Sequence, residues 1–353
     1  MEFKSDNALG VPHVMFEAMV RANEGAVSAY GDDPWTKQVE KKFSEIFERE
    51  VAVSIVSTGT AANSLGLALY SPPWGGVVCH HESHIMVDEC AAPEFYSGGV
   101  KLIGVEGAQG KMTPESVNDA LYYMVKGDQH SIQPSVLSLT QVTEAGTVYS
   151  LEEIRALSDV AASRGLKMHM DGARFGNALM ALGCSAADMT WKSGIDVLSF
   201  GATKGGALAA EAVILFDVKK ADELMYRRKR AGHLLSKSRF AAVQLQAYLD
   251  DDLWLKGAAH ANAMSARLAQ GISQSNKLRH AFDVDANMQF VIMTIAVHEW
   301  LQSAGAHYYL WPGRGPLDGN AKHRDEVIAR FVCGFATTQE EVDEFVAVVG
   351  LLG

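Results

Sequence analysis

The sequence predicts an α/β fold: a mostly parallel sheet in a large domain, covered by helices on both faces, and a smaller α+β C-terminal domain. Three observations predict it. Short apolar runs alternate with amphipathic stretches from residue 51 to residue 216. Polar, glycine-flanked segments follow several of these runs, as parallel strands that end at a ligand crevice require. Near Ser238 the texture changes, with long helical stretches giving way to short strands. The expected division is an N-terminal arm (1–15), a large domain (16–237) and a small C-terminal domain (238–353).

Taken in order, residues 15–25 have helical spacing, and 27–33 form a loop ending in Tyr30-Gly31-Asp32-Asp33. Residues 36–49 are an amphipathic helix, 51–56 a strand, and 61–69 a helix opened by Ser57-Thr-Gly-Thr. Strands follow at 76–79 and within 99–105, then a helix over 112–125 opening at Thr113. Residues 135–139 are a strand. Ser150 and Glu153 form a capping box for a helix to residue 164. Further strands occupy 166–170, 197–200 and 212–216. Beyond Ser238, helices over 240–255 and 260–274 lead to strands at 289–295, 308–311 and 329–333, and a helix closes the chain from Thr338.

Composition narrows the function classes. With 48% hydrophobic and 21% charged residues the chain is globular. Its net charge of −11 disfavours nucleic acid and anionic membranes as partners. No run of about 18 apolar residues occurs, so no membrane span is expected. The four scattered cysteines and the absence of a leader pattern fit a cytoplasmic protein.

Three motifs bear chemistry. Ser57-Thr58-Gly59-Thr60-Ala61-Ala62-Asn63 joins a strand to a helix, where free N–H groups can hold an anion or Thr58 and Thr60 can simply cap. Asp171, in Met170-Asp171-Gly172-Ala173-Arg174, ends an apolar strand at the ligand edge of the sheet; the plainer use is a turn cap. Lys204 sits in a small-residue loop after a buried strand, where a lysine can lose its proton and act as an amine nucleophile, or can contact phosphate. Phosphate loop, aspartate and lysine occur in that order, a combination more specific than any one of them.

On these residues the chain resembles the pyridoxal 5′-phosphate (PLP)-dependent L-threonine aldolases of the type I, aspartate-aminotransferase fold. The likeness extends over Ser5-Asp6-Asn7, Tyr30–Asp33, the 57–63 loop, 84–89, Asp171–Arg174, Thr203-Lys204 and on to Arg330. Val87-Asp-Glu-Cys90 and Ser236-Lys-Ser-Arg-Phe240 resemble the low-specificity or phenylserine-type branch. The resemblance implies that Lys204 carries the cofactor, Asp171 pairs with its ring nitrogen, and Gly59, Thr60 and Thr203 hold its phosphate. It also implies that His84 stacks on the ring near the substrate hydroxyl, and that Ser5, Arg174 and Arg330 grip the substrate carboxylate. Arg174 counts among the cofactor-binding residues as well. Tyr30 would serve a neighbouring subunit's site, in a homo-oligomer, by precedent a tetramer, with active sites at the dimer interface. Thr143 would fill a slot that holds histidine in several members.

Two segments have competing readings. Cys79-His-His-Glu-Ser-His84 through Cys90 contains metal-ligand types, but no second ligand pair follows, so no metal is expected. The basic stretch Tyr226–Arg230, continuing through His233 and Lys237 to Arg239, is a solvated helix face, a nucleic-acid strip or a subunit interface. Lys229 and Arg230 are its candidates for a partner's phosphate. The expected reaction is cleavage of L-threonine, L-allo-threonine or related β-hydroxy-α-amino acids to glycine and an aldehyde. β-Elimination or racemisation on the same fold, or cofactor binding without catalysis, remain alternatives.

Overall fold

A computed structural model of the chain describes residues 1–311 and 324–352. Seven strands form the main sheet: β1 (Ala52–Val56), β2 (Gly75–His80), β3 (Lys101–Val105), β4 (Gln133–Thr140), β5 (Lys167–Gly172), β6 (Val197–Gly201) and β7 (Glu211–Leu215). Their spatial order is β1-β7-β6-β5-β4-β2-β3. Pairings from β3 through β6 are parallel, whereas β7 runs antiparallel to both β6 and β1. Only β7 is reversed, so the loops after β1, β4, β5 and β6 open at one edge. The same reversal brings the start of β7, Glu211, to that edge opposite Gly201 and Val56.

The sheet is buried on both faces, as parallel strands under helical cover must be. Beneath β5 and β6 lies an aromatic core. Phe47 packs on Phe216 (5.2 Å between centroids) and Phe175 (6.0 Å), while Phe200 packs on Phe43 (4.9 Å) and Trp254 (5.7 Å). Phe47 is fully buried. Phe47→Ala is expected to cost about 3–5 kcal/mol through lost burial and the residual cavity, read as a lower midpoint in urea unfolding.

A second, antiparallel sheet has the order β10-β11-β9-β8, comprising β8 (Arg279–His280), β9 (Met288–Thr294), β10 (Tyr309–Trp311) and β11 (Glu326–Val332). Helices Leu253–Ile272 and Gln339–Gly350 belong to its core. The N-terminal residues are tied to this sheet. Phe3 donates to the His307 carbonyl (2.8 Å) and accepts from Val332 N–H (3.0 Å), and its ring meets Phe331 and Phe345.

Element boundaries mostly move by a few residues. The helix expected over 36–49 is Pro34–Ile46, because Asp33 caps it through the Thr36 N–H (2.9 Å). The helices expected over 240–255 and 260–274 are instead Arg239–Leu249 and Leu253–Ile272. The break falls at Asp250–Asp252, where Asp251 and Asp252 take positive φ and interrupt the apolar pattern. Helices Phe175–Leu182, Ala221–Arg230 and Ile295–Ser303 were not anticipated. Among the described residues no helix is long and apolar enough to cross a membrane.

Candidate active site

The loops at the shared strand edge surround a cavity of about 550 Å³, within the ordinary range for small-molecule sites. It is lined by Ser57–Thr60, His84, Asp171, Arg174, Thr203, Lys204, Glu211 and, from the other sheet, Met288, Trp311 and Arg330.

After β1, Thr58 caps the helix Gly59–Tyr70 by accepting from the Ala61 N–H (3.1 Å). The first-turn N–H groups of a helix lack intrahelical acceptors and carry the positive end of its dipole, which favours an anion. An added Cβ at Gly59 would meet nothing within 4 Å, so open space lies against this backbone. Lys204 follows β6 in a short 3-10 turn, Thr203–Gly205. Glu211 secures that turn, accepting from the N–H of Ala202 (2.9 Å) and of Thr203 (3.4 Å). Burial, and then the nearby Arg174 guanidinium, lower the Lys204 pKa, although Asp6, Asp171 and Glu211 oppose this. The amine therefore releases its proton more readily than a surface lysine.

Asp171 lies at the end of β5. One carboxylate oxygen accepts from Asn63 Nδ2 (2.8 Å) and the other from the Ala173 N–H (3.0 Å). Two residues back, His169 is fully buried between Ser138 and Ser199, and burial lowers its pKa to about 4. Asn63 also donates to Glu89 Oε1 (2.8 Å), which pairs with His84 Nδ1 (2.8 Å). A continuous polar chain thus runs Asp171–Asn63–Glu89–His84.

The hydrogen bond to Glu89 raises the His84 pKa, outweighing burial. Because the folded value lies above the ordinary one, this pair stabilises the fold below the ordinary histidine pKa. That contribution is lost as pH rises through the folded value. Glu89→Gln is expected to move the His84 titration to lower pH, read from its imidazole resonances in an NMR titration. An unchanged value would mean that Glu89 does not hold the proton.

Two cations stand near each other at the mouth. Arg174 pairs with Asp6 through Nε (2.8 Å) and NH2 (3.2 Å). Arg330 lies over the rings of Tyr309 (5.7 Å) and Trp311 (5.4 Å), an arrangement that fixes a guanidinium plane. Its NH2 donates to the Lys4 carbonyl (3.3 Å), whereas its buried Nε has no partner among the described residues. Burial and the neighbouring Arg174 charge lower its pKa, so an arriving carboxylate relieves both strains.

The cavity therefore gathers Ser5, Gly59, Thr60, His84, Asp171, Arg174, Thr203, Lys204 and Arg330, all singled out in the sequence. Tyr30 is not among them; it is 53% exposed, with Lys229 Nζ 5.2 Å from its ring centroid. Thr143 does not fill the slot expected for it. It is fully buried and bonds Thr147 Oγ1 (2.8 Å), while its neighbours Val142 and Glu144 line the cavity. The turn at 143–147 directs Thr143 into its own hydrogen bonds and leaves Glu144 at the wall. Asn63, Glu89, Glu144 and Glu211 were missed as site residues. Only the place of Asn63 at the end of the 57–63 loop and of Glu89 in the 84–89 stretch gave a signal. In the basic stretch, Arg227 pairs with Glu223 (2.8 Å), and Arg228, not Lys229 or Arg230, reaches the Ile55 carbonyl (3.4 Å) beside the loop. Among the described residues no three His, Cys, Asp or Glu side chains gather to hold a metal.

Comparison with known proteins agrees with this geometry. Residues 2–296 match the beta-eliminating lyase family. The low specificity L-threonine aldolase of Pseudomonas aeruginosa is 40% identical over 343 residues, covering 97% of this chain and 95% of that protein. The corresponding protein of a Pseudomonas species is 39% identical, covering 98% and 96%. A solved threonine aldolase from Leishmania major superposes with a TM-score of 0.90 at 26% identity, covering 99% of this chain and 98% of that one. More distant neighbours, such as a Sphingomonas wittichii serine palmitoyltransferase (TM-score 0.73, 15% identity), share the fold, which is the type I fold of PLP enzymes. The chain belongs to the beta-eliminating lyase family, among its L-threonine aldolases.

Proposed function

We propose that this lyase uses PLP to cleave L-threonine, L-allo-threonine and related β-hydroxy-α-amino acids, phenylserine types included, to glycine and an aldehyde. The observation that carries the reading is a single cavity joining Lys204, Asp171, the Gly59–Thr60 helix start, His84 and Arg330. The residues fit the cofactor. A lysine with lowered proton affinity, open backbone at Gly59 and a carboxylate aligned by Asn63 answer its aldehyde, phosphate and ring nitrogen respectively.

When bound, PLP draws off the electron pair left on the substrate Cα. The chain supplies the rest. Gly59, Thr60 and Thr203 would hold the phosphate, and Asp171 would keep the ring nitrogen protonated. His84, fixed by Glu89, would pack against the ring. Arg330, with Arg174 and Ser5, grips the substrate carboxylate through paired N–H donors. That grip turns the Cα–Cβ bond toward the geometry in which it breaks.

Tyr30, outside the cavity of its own chain, is assigned to a neighbouring subunit's site. A homotetramer is part of the same proposal, as is a cytoplasmic location, the latter supported by four cysteines that are all unpaired. So is the division into arm (1–15), large domain (16–237) and small domain (238–353), supported by the two separate sheets. Residues 312–323 and 353 of that last range lie outside the described residues.

Product analysis tests the reaction. Threonine should give glycine and acetaldehyde in equal amounts. Ammonia with a keto acid would establish β-elimination instead, and a D-amino acid racemisation.

A further inference from the structure

Proton transfer from the substrate hydroxyl requires an acceptor in the cavity, and the groups there differ in what they have free. Both Asp171 oxygens accept hydrogen bonds from Asn63 and Ala173. Asp6 is bound to Arg174. Glu211 holds the Lys204 turn. His84 is held through Nδ1 by Glu89, a bond that raises the proton affinity of the imidazole, so its Nε2 is the competing acceptor in the cavity. Glu89 is committed to His84 and Asn63 through Oε1; its Oε2 also lacks a partner among the described residues, but its side chain is wholly buried.

Glu144 is different. Its Oε1 accepts from the His84 backbone N–H (2.7 Å) and from Thr140 Oγ1 (2.9 Å), which fixes the carboxyl plane. Its Oε2 is enclosed and has no hydrogen-bond partner among the described residues. The loop that presents it is stiff. Gln141 bonds Tyr149 in both directions (2.9 and 3.0 Å), Thr143 N–H bonds the Thr147 carbonyl (2.9 Å), and Gly146 turns at φ +84. Burial first, then the Asp171 charge, push the Glu144 carboxyl up to about 7, while the bonds from His84 and Thr140 oppose this. Of the other ionisable groups facing it, the Tyr149 phenol and the Cys79 thiol are both pushed upward and stay neutral.

We propose that Glu144 Oε2 accepts the β-hydroxyl proton of the substrate as the Cα–Cβ bond breaks. This rests on the aldolase reading. The O–H bond breaks toward Glu144, and its electron pair forms the aldehyde C=O. The Cα–Cβ pair stays with Cα, and the proton returns from Glu144 through solvent to Cα, completing glycine. Atoms and electrons balance without an oxidant. A carboxyl that titrates near neutrality suits this exchange in both directions.

The test uses PLP-loaded wild type and E144Q, an isosteric change. E144Q should lower kcat for threonine cleavage by roughly 10²–10⁴-fold, the usual worth of a general base. Exchange of the glycine α-hydrogen with solvent, which involves no hydroxyl, should persist in the same variant. In wild type, kcat should rise with pH through about 7, and residual E144Q activity should lack that limb. Infrared difference spectra of the cofactor-free protein should show a protonated-carboxyl C=O band that fades over the same pH range and is absent in E144Q.

E144Q with kcat within a few-fold of wild type would overturn the proposal and return the proton to His84 or water. Joint loss of cleavage and glycine exchange would also overturn it, assigning Glu144 to support of the His84 backbone. A wild type that exchanges glycine but cleaves no β-hydroxy amino acid would instead remove the aldolase reading itself.

Discussion

Replacing Lys204 with alanine is expected to remove both the visible absorbance of bound PLP and more than about 10⁴-fold of turnover, since a covalent catalytic group acts as a unit with its neighbours. The reason lies in its surroundings. Lys204 is placed by a turn that Glu211 holds from β7, and burial with Arg174 makes its amine available. Among the described residues no other lysine lines the cavity to take its place. The measurement is a spectrum and a progress curve on the same PLP-incubated sample. Full activity in K204A would contradict the assignment.

The second large effect is expected at Asp171. D171N keeps the shape of the side chain but removes the charge proposed to hold the ring nitrogen protonated. It also leaves one of the two donors, Asn63 Nδ2 or the Ala173 N–H, facing an amide NH2. Rates should fall on the order of 10²–10³-fold, as when one electrostatic contact to developing charge is lost. The cofactor should still bind, because Lys204 and the Gly59–Thr60 helix start are untouched. The split between retained absorbance and lost turnover separates this role from that of Lys204. Loss of PLP binding in D171N would show that the aspartate mainly anchors the cofactor.

These two residues could be singled out in the sequence by their positions taken together, in order after the anion loop, though neither position is specific by itself. Each follows a short apolar strand, and in a parallel sheet such ends share one edge. The anion loop was legible for the same reason, with a strand, a glycine and a capping threonine in sequence. Glu144 was not legible. Beyond the end of β4 the alternation of a strand lapses, and nothing in the order Thr143-Glu144 tells which side chain meets the cavity. The structure settles it through the Thr143–Thr147 turn. The chain from Asp171 through Asn63 and Glu89 to His84 was equally hidden, since it joins three segments that only the fold brings together.

The fold shows the same division. Helix Ala221–Arg230 escaped notice because it buries only Leu224 and is otherwise highly polar, so its apolar signal is weak. The merged reading across Asp250–Asp252 arose because Leu253, Trp254 and Leu255 continue the apolar spacing of the preceding helix. Two left-handed aspartates, which no hydrophobic pattern encodes, separate the two helices.

The most direct test of the central claim is an absorption spectrum of the purified, PLP-incubated protein before and after adding glycine. The account predicts a visible band from cofactor held on Lys204 and a new, longer-wavelength band with glycine, as the Cα proton is lost to solvent and the electron pair it leaves is drawn toward the ring nitrogen that Asp171 would keep protonated. A protein with no visible band after incubation with PLP would contradict both the cofactor and the reaction assigned to this cavity.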